Sequence, residues 1–386
     1  MRDLASVEGG FYSAEDADSE GEEGKFYLWT EEAIKQALPP QDADLAIKLF
    51  EVKPEGNYYE PPKGRNGKNI LHFAKPLQQL ASESNLTIDE LIVKLKGIRN
   101  TLFKIREKRV KPAKDDKILV DWNGLIIAAL ARASQVLGEQ RYLQAAVKAA
   151  DFILKEMKSV DDRLYHRYAK GERAVLGFLD DYAYLVFGLL ELYEACFEEK
   201  YLQACLDLTK AMIEGFWDEK AGGFFFTNKS ADEAVPRIKQ TYDGAVPSGN
   251  SVALLNLLRL TRLSGESSFE EYAGRILKVF SEEVRSQPLG HTFMLVGLDF
   301  ALGPTFNVVL VGNPADKDTL VMLEATRKNY LPNLTVTIWT PEKAKSPLPG
   351  IGYEKIEGKT TAYVCRDQTC TPPTNKVEKM LELLRT

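Results

Sequence analysis

Three acidic loops, each followed at once by a strongly apolar run, recur along the chain. The acids that hold the same place in each loop are Asp121, Asp180 and Asp243. Their spacing of about 60 residues is too long for one helix and fits a repeat of two helices with their loops. Because the acids recur at one place in each repeat, the sequence predicts that the repeats present them to one shared surface.

Each acidic loop precedes a pair of predicted helices of different character. The first helix of each pair, over residues 125–137, 182–195 and 252–263, is apolar almost all round, which is typical of a buried helix. The second helix opens with an aromatic residue and is more amphipathic, which is typical of an outer helix. Inner and outer helices in alternation predict a mainly α fold, a toroid of α/α helical hairpins within residues 1–302.

After residue 302 the pattern changes to short β-branched runs that alternate with helices. Strands are predicted at 307–312, 335–340 and 362–366, and helices at 316–328 and 376–384. Residues 303–386 are therefore predicted to form a small C-terminal α/β subdomain.

The region before the first complete repeat is predicted to hold shorter elements. Helices are predicted at 31–38, 42–50 and 87–108, a strand-like run at 26–29, and a long ordered loop at 51–76. The basic residues at the end of the third helix lack accompanying aromatic residues, so they indicate a solvated helix face rather than a phosphate or nucleic-acid site.

Charge and apolar patterning narrow the class of protein. The 386 residues include 50 Lys and Arg against 56 Asp and Glu, a formal net charge of −6, which does not favour general binding to nucleic acid. No apolar run reaches the roughly 18–20 residues that a membrane span needs. The N-terminus is acidic and lacks the basic and apolar order of a signal peptide. A cytoplasmic protein with no nucleic-acid and no membrane partner is expected.

The acidic loops supply the candidate catalytic residues Asp121, Asp180, Asp181 and Asp243. Hydrolysis of a sugar needs one carboxylic acid to protonate the glycosidic oxygen and one carboxylate to activate water. At a helix N-terminus the dipole favours the ionised carboxylate and lowers its pKa. This suits a base or a hydrogen-bond partner of a sugar better than a general acid. Simple helix capping, capping with ligand contact, and catalysis all remain open.

Polar and aromatic residues beside these acids are candidates for substrate binding. The set is Tyr12, Asp16, Asp18, Trp122, Asn123, His166, Tyr182, Tyr242, Ser248 and Asn250. The aromatic rings can stack on a sugar or belong to the core, and Ser248 and Asn250 can bond hydroxyl groups. Ser248 lacks the Gly-x-Ser-x-Gly elbow of a nucleophile.

The run that begins at Asp16 and Asp18 resembles the start of a calcium-binding EF-hand loop. That loop also needs a Glu at its twelfth position, where this chain has Tyr27. A solvated acidic turn or a pocket rim is expected there instead, with no metal ion and no cofactor.

The four cysteines do not form a disulfide framework for a chain of this length. Cys365 and Cys370 are separated by four residues, which is neither zinc-finger nor thioredoxin spacing. Two free thiols in a surface turn are predicted, and half of a metal site is the alternative.

Five stretches of the sequence together resemble one family, the YyaL-type thioredoxin-domain-containing proteins of bacteria, relatives of the animal spermatogenesis-associated thioredoxin-like protein. The stretches are residues 9–24, 115–124, 179–182, 243–250 and 363–370. The resemblance implies a thioredoxin-like domain with a cysteine pair, followed by a toroid of the six-hairpin glycosidase type. That toroid is similar to those of N-acylglucosamine 2-epimerases and unsaturated glucuronyl hydrolases. Epimerases of this kind use histidines for proton transfer, which adds His166 and His291 as candidates beside structural roles.

This sequence departs from the family at its N-terminal end. It contains no C-x-x-C pair and begins at a Gly-Gly-aromatic loop that elsewhere follows a helix. The resemblance therefore implies a chain that lacks the thioredoxin-like domain and an incomplete toroid with its gap on the N-terminal side. The exposed apolar flanks of such a toroid favour self-association.

Three functions remain open at this stage. The first is a carbohydrate-active protein that binds a sugar, or processes it by hydrolysis or epimerisation, in an acidic, aromatic-lined pocket. The second is a non-catalytic scaffold or regulatory toroid whose acids only cap helices. The third is an accessory part of a thioredoxin-like redox protein.

Overall fold

A computed structural model describes residues 1–59, 61, 64–159, 161, 163–230, 237–340, 352–367 and 369–385. The chain forms two compact units, one of Met1–Ser13 with Asp116–Thr386, here called the hairpin unit, and one of Ala14–Asp115, here called the N-terminal unit. The division expected after residue 302 is a different one and stays a prediction.

The N-terminal unit is a small helical unit with two short strand pairs. Its elements are β1 (Ala14–Glu15), β2 (Asp18–Ser19), β3 (Glu22–Glu23), α1 (Glu31–Ala37), α2 (Pro40–Leu49), α3 (Leu77–Glu83), α4 (Ile88–Arg106) and β4 (Lys114–Asp115). Thr30 and Thr87 cap α1 and α4 through their hydroxyl groups. Ile34, Leu91 and Ile98 are buried where the helices meet.

The strand-like run predicted at 26–29 is instead a turn that leads to a single β-bridge between Trp29 and Asn69. The Arg109 guanidinium accounts for the difference: it donates to the carbonyl oxygens of Phe26 (2.9 Å) and Leu28 (2.8 Å) and lies 4.1 Å from the centre of the Trp29 ring. A side chain therefore occupies the backbone acceptors that a neighbouring strand would use.

The hairpin unit begins with consecutive pairs of helices. Its first elements are β5 (Ile118–Leu119), α5 (Val120–Leu137), α6 (Gln140–Glu156), β6 (Tyr165–Ala169), β7 (Glu172–Leu176), α7 (Leu179–Cys196), α8 (Glu199–Phe216), α9 (Gly249–Ser264), α10 (Ser268–Ser286), a 3-10 turn (Pro288–Gly290) and α11 (Thr292–Leu302). Helices α5, α7, α9 and α11 pack side by side in that order, and α6, α8 and α10 each pack on the helix before them. Inner and outer helices thus alternate, which confirms the predicted mainly α, α/α-hairpin class.

Close packing of α5 on α7 rests on two glycines. A Cβ atom at Gly188 would lie 2.4 Å from the carbonyl oxygen of Gly124, and one at Gly124 would lie 2.4 Å from that of Tyr184. Only glycine allows the two backbones to come this close. Around this contact α7 is buried on all sides, with Leu185, Leu189 and Leu192 fully inaccessible.

The three inner helices begin earlier than the sequence predicted. They start at Val120, Leu179 and Gly249 rather than at 125, 182 and 252. The acids Asp121 and Asp180 therefore lie inside the first helical turn, not in the preceding loop.

A small mixed sheet completes the hairpin unit. Its elements are β8 (Phe306–Val311), α12 (Lys317–Arg327), β9 (Leu334–Trp339), β10 (Thr361–Arg366), β11 (Thr369–Cys370) and α13 (Val377–Leu383), and the strand order is β11-β10-β8-β9. Strand β8 pairs in parallel with β9 and antiparallel with β10. Its buried side chains join the same apolar core as the helices. The predicted α/β element is confirmed.

The cysteine prediction is wrong. Cys365 and Cys370 lie opposite each other on β10 and β11 and form a disulfide. The tight turn between the strands brings residues of this spacing face to face, which cysteine spacing alone did not indicate. None of the helices in the described ranges is both long enough and apolar enough to cross a membrane.

Candidate active site

Three of the four candidate acids meet where the inner helices begin. Asp121 is the second residue of α5, and Asp180 and Asp181 are the second and third of α7. The Asp121 backbone N–H donates to Asp181 Oδ1 at 3.1 Å. The neighbouring acid, Asp180, lies against Gly249, the first residue of α9. Acids of two of the three repeats, Asp121 and the Asp180–Asp181 pair, thus lie together.

Asp181 is the fully buried anchor of the site. Its Oδ2 accepts the Phe178 backbone N–H at 2.7 Å, which caps α7, and its Oδ1 accepts the N–H of Asp121. His166 on β6 points its Nδ1 at the same carboxylate, 3.0 and 3.1 Å from the two oxygens. The carboxylate thus fixes the position of the imidazole, and its hydrogen bond raises the pKa of His166 against the opposing effect of burial.

The pKa values of Asp121 and Asp180 are raised, whereas the helix-dipole argument predicts that they are lowered. Burial, followed by the Asp181 charge, raises the pKa of Asp121 to about 6. Burial, followed by the charges of Asp121 and Asp181, raises the pKa of Asp180 to about 7, although the Gly249 backbone N–H partly opposes this. The dipole is outweighed because the three carboxyl groups share one poorly solvated space. Asp180 is therefore suited to the general-acid role that the sequence argument had disfavoured.

Asp243 is a structural carboxylate. Its Oδ1 accepts the Ser248 N–H at 2.8 Å, and its Oδ2 accepts the N–H groups of Phe293 (2.8 Å) and Met294 (3.1 Å) in the first turn of α11. It therefore caps α11, and the expectation that it caps its own following helix is wrong. Helix α9 is capped by the Ser248 hydroxyl, which accepts from the Ser251 N–H at 3.1 Å. With that role, Ser248 is buried and is not placed to bind a hydroxyl of a ligand.

Asn123 and Asn250 were expected to bind substrate but hold backbone instead. The Asn123 amide accepts from the Phe11 N–H (2.7 Å) and donates to the Phe11 carbonyl (3.0 Å). The Asn250 amide makes the same pair of bonds to Phe224, at 2.8 and 2.9 Å. Both amides are buried and engaged by the main chain, so neither is available to a sugar hydroxyl.

The candidate aromatic residues divide into exposed and buried ones. Trp122 and Tyr242 are 46% and 67% exposed, so their rings can contact a ligand. Tyr182 is buried, and its hydroxyl accepts the Leu164 backbone N–H at 2.9 Å, which makes it a core residue. Tyr12 is half-buried and packs against the core.

The remaining candidates are two acids of the other unit and a histidine near Asp243. Asp16 and Asp18 belong to the N-terminal unit and are exposed, and the Asp18 N–H donates to Asp16 Oδ1 at 3.1 Å, as in a solvated turn. His291 is buried; its Nδ1 lies 2.9 Å from the Gln287 carbonyl oxygen and its Nε2 3.3 Å from Thr241 Oγ1. A role for His291 in proton transfer at the acids has no support in these contacts.

Tyr184 is a site residue that the sequence reasoning missed. It is buried one helical turn after Asp180, and its hydroxyl donates to the Pro247 carbonyl oxygen. Burial raises the pKa of Tyr184, and the charge of Asp180 adds to this. The spacing of four residues, which places two side chains on one helix face, was the available signal.

Asp121, His166 and Asp181 could also hold a cation, since each offers a ligand atom within 4.8 Å of the others. Both oxygens of Asp181 already accept backbone N–H groups, however. Asp181 is therefore fitted to hold the helix start and His166 rather than to serve as a primary metal ligand.

Comparison with known proteins finds animal relatives of the chain. Human spermatogenesis-associated protein 20 is 32% identical over an alignment 415 positions long that covers 99% of this chain. The rat protein is also 32% identical over 99% of this chain, and an uncharacterized protein of Caenorhabditis elegans is 30% identical over 99%. Over almost its whole length the chain is therefore homologous to part of spermatogenesis-associated protein 20. It spans about half the length of these relatives, 53% of the human and rat proteins and 56% of the nematode protein.

Other comparisons are weaker. No family model matches the chain. Among solved structures, a family 76 glycoside hydrolase α-mannanase of Bacteroides thetaiotaomicron is 15% identical, with 72% of each chain covered and a TM-score of 0.40. A cellobiose 2-epimerase of Bacillus thermoamylovorans is 12% identical, with 77% of this chain and 66% of the epimerase covered and a TM-score of 0.34. Likenesses at this level support no inference about the reaction.

Proposed function

We propose that the acidic site binds a carbohydrate and hydrolyses a glycosidic bond by general acid–base catalysis. The observation that carries this proposal is the meeting of Asp121 and Asp180 at the starts of α5 and α7, where burial and neighbouring carboxylates raise the pKa of both groups. Near neutral pH one carboxyl group then keeps its proton while its neighbour is ionised. Glycoside hydrolysis needs this combination of an acid and a carboxylate.

Two neighbouring carboxylates act on Asp180, whereas one acts on Asp121, whose carboxylate also accepts the Trp122 N–H, and we assign the two roles on that basis. Asp180 donates its proton to the glycosidic oxygen as the bond from that oxygen to the anomeric carbon breaks. Asp121, ionised at the same pH, accepts a proton from the water whose oxygen forms the new bond to that carbon. Proton transfer between the two acids and solvent then restores the starting state.

The surroundings of the acids support a sugar as the ligand. Trp122 follows Asp121 directly and is exposed, so its flat indole ring can cover one face of a sugar. His166 is half-buried beside Asp121 and Asp181 and offers Nε2 to a hydroxyl group while Nδ1 faces Asp181. The site thus combines an apolar ring with polar groups that bind hydroxyls.

A non-catalytic scaffold is the second candidate, and a specific observation favours it. Asp181 and Asp243 are fully occupied by backbone N–H groups, so two of the four acids stabilise helix starts. In that case the raised pKa values of Asp121 and Asp180 would result from burial and would serve no reaction.

A hydrolysis assay separates the two candidates. The purified chain is incubated with a panel of α- and β-linked aryl glycosides and disaccharides at pH 5–8, and released sugar is measured. Asp180→Asn and Asp121→Asn should each lower the rate by about 10²–10⁴-fold. Asp44→Asn, which changes an exposed acid of α2, should leave the rate unchanged.

The pH profile and a chelator test the assignment further. Activity should be highest between pH 6 and 7, bounded by the pKa values of Asp121 and Asp180, and should persist in EDTA. Folded protein that binds none of the panel in thermal-shift assays and releases no sugar would leave the scaffold as the function. Activity abolished by EDTA would instead assign a metal to Asp121, His166 and Asp181.

A further inference from the structure

A cavity whose lining does not include the candidate acids lies beside the inner helices. It has a volume of about 590 Å³ and lies within the hairpin unit, between α5, α7, α9 and α11 on one side and α12 with the start of β9 on the other. This volume is in the range of small-molecule sites. Neither the acidic site nor the proposed hydrolysis uses it.

The floor of this cavity holds an ion network of two arginines and two glutamates. Arg259 is buried and contacts Glu191 at 2.7 Å and Glu194 at 3.1 Å, and Arg132 reaches Glu191 at 3.0 Å. Burial raises the pKa of Glu194 despite Arg259 beside it. Two guanidinium groups thus already balance the two carboxyl groups.

Arg327 on α12 brings a third guanidinium group to the same cavity. Its Nη2 donates to the carbonyl oxygens of Glu194 and Ala195, each at 3.2 Å, near the end of α7. Within the described ranges no carboxylate forms an ion pair with it. The neighbouring Lys328 pairs with Glu324 at 2.6 Å. Arg327 is therefore a cation of the cavity that forms no ion pair with a carboxylate among the described residues, although the charge of Glu194 acts on it.

The walls of the cavity are mainly apolar. Phe187 and Phe293 meet edge to face with ring centres 5.8 Å apart, and Leu255 and Phe300 are buried beside them. Val296 stands at the edge and is 48% exposed. A ligand that fits must therefore offer an apolar body to these side chains and a negative group to Arg327.

We propose that this cavity is a ligand site for a small amphipathic anion, an apolar body that carries one carboxylate or phosphate monoester group. The acidic group bonds Arg327 in the two-pronged geometry that guanidinium offers to either oxyanion. The apolar body displaces water from the phenylalanine wall. The site is independent of the acidic one, so it stands whether or not the chain hydrolyses glycosides.

Isothermal titration of the full chain with four probes tests both halves of the proposal. Octanoate and hexyl phosphate supply the two head groups on an apolar tail, octanol supplies the tail alone, and inorganic phosphate supplies the head group alone. The two amphipathic anions should bind at least about tenfold more tightly than octanol or phosphate. Whichever of the two binds more tightly identifies the head group that the site prefers.

Two substitutions locate the binding. Arg327→Met should weaken octanoate binding at least about tenfold, whereas Arg285→Met on the exposed face of α10 should not. Because Arg327 also bonds the end of α7, Val296 provides a test that leaves this bond intact. Val296→Asp should weaken binding and Val296→Lys strengthen it, each by several-fold, through charge alone.

Either of two results would overturn the proposal. One is the absence of octanoate and hexyl phosphate binding at millimolar concentration by the folded wild-type chain. The other is an affinity that is the same for Val296→Asp, Val296→Lys and wild type, which would place the bound anion elsewhere.

Discussion

The Asp180 carboxyl group lies directly against the first residue of the next inner helix: a Cβ atom at Gly249 would come within 2.3 Å of Asp180 Oδ1. The same atom would lie 2.8 Å from Leu179 Cγ. Glycine at this position therefore lets α7 and α9 bring the acid and a helix N-terminus together. The position of Asp180 therefore depends on the absence of a side chain at Gly249.

Gly249→Ala should consequently displace Asp180. We expect a loss of roughly 1–3 kcal/mol in the free energy of unfolding, because the clash outweighs the helix propensity of alanine. The pKa of Asp180 should shift as well, which carboxyl NMR titration measures. Gly274→Ala is the matched control: nothing lies within 4 Å of its added Cβ in α10, so it should stabilise by up to about 1 kcal/mol. Equal effects of the two substitutions would contradict the close contact.

Asp180→Asn should make the protein more stable in mildly alkaline solution. An unfolded Asp has a pKa of about 3.9, whereas that of Asp180 in the fold is about 7. The folded state binds the proton more tightly, so the free energy of unfolding falls as the pH rises from about 4 to about 7. Asn mimics the protonated acid, and the variant should exceed wild type by roughly 1–3 kcal/mol at pH 8.

Urea denaturation at several pH values measures this difference. The gain from Asp180→Asn should shrink as the pH falls and vanish below about pH 4, where the wild-type carboxyl is protonated in both states. A variant that is less stable than wild type at pH 8 would show that the Asp180 charge is compensated in the fold.

The contribution of His166 to stability should depend on pH, because its imidazole pairs with the Asp181 carboxylate. Asp181 raises the pKa of His166, so the stability it contributes is fully present below the unfolded pKa of about 6.5 and is lost as the pH rises through the higher folded value. His166→Ala should therefore destabilise most at pH 5–6, by about 1–2 kcal/mol, and less at pH 9. His72→Ala, an exposed histidine of the N-terminal unit, is the control. A His166→Ala effect that does not vary with pH would mean that the imidazole acts only by packing.

The helical-hairpin fold could be predicted from the sequence because it depends on the burial of strongly apolar helices. Helices such as α7 are apolar on all sides and must be enclosed, and the spacing of the acids gave the repeat. The first turn of each inner helix was not included in the prediction, although Ser248 is a residue type that caps helices and does cap α9. The contact between Gly249 and the Asp180 carboxyl, which lies 69 positions earlier in the chain, could not be read from the sequence.

The roles of the acids were predictable only in part. Their convergence followed from the repeat, but whether an acid binds backbone or stays free depended on contacts between distant segments. Asp243 reaches α11 at Phe293, and Asp181 reaches Asp121. The pKa values then depend on burial and on neighbouring charges, which a local dipole argument omits.

Asn123 and Asn250 should prove to be structural equivalents in two repeats. Each sits in the first turn of an inner helix and holds the aromatic residue of a Gly-Gly-Phe loop, Phe11 or Phe224, by both its N–H and its carbonyl. Each amide makes a third bond, to Leu119 or Gln240. Loss of either side chain leaves buried backbone groups without partners.

Asn123→Ala and Asn250→Ala should therefore each lower the free energy of unfolding by about 2–4 kcal/mol, since several buried groups lose their bonds at once. Asp substitutions should be nearly as damaging, because a carboxylate cannot donate to the loop carbonyl. Asn313→Ala, which changes an exposed amide that accepts only the Ala315 N–H, should cost under about 1 kcal/mol. Chemical denaturation gives these values, and hydrogen exchange at the Phe11 and Phe224 amides should rise selectively in the matching variant. If Asn123→Ala raised hydrogen exchange equally at Phe11 and Phe224, the two loops would unfold as one cooperative unit and would not be held independently by their asparagines.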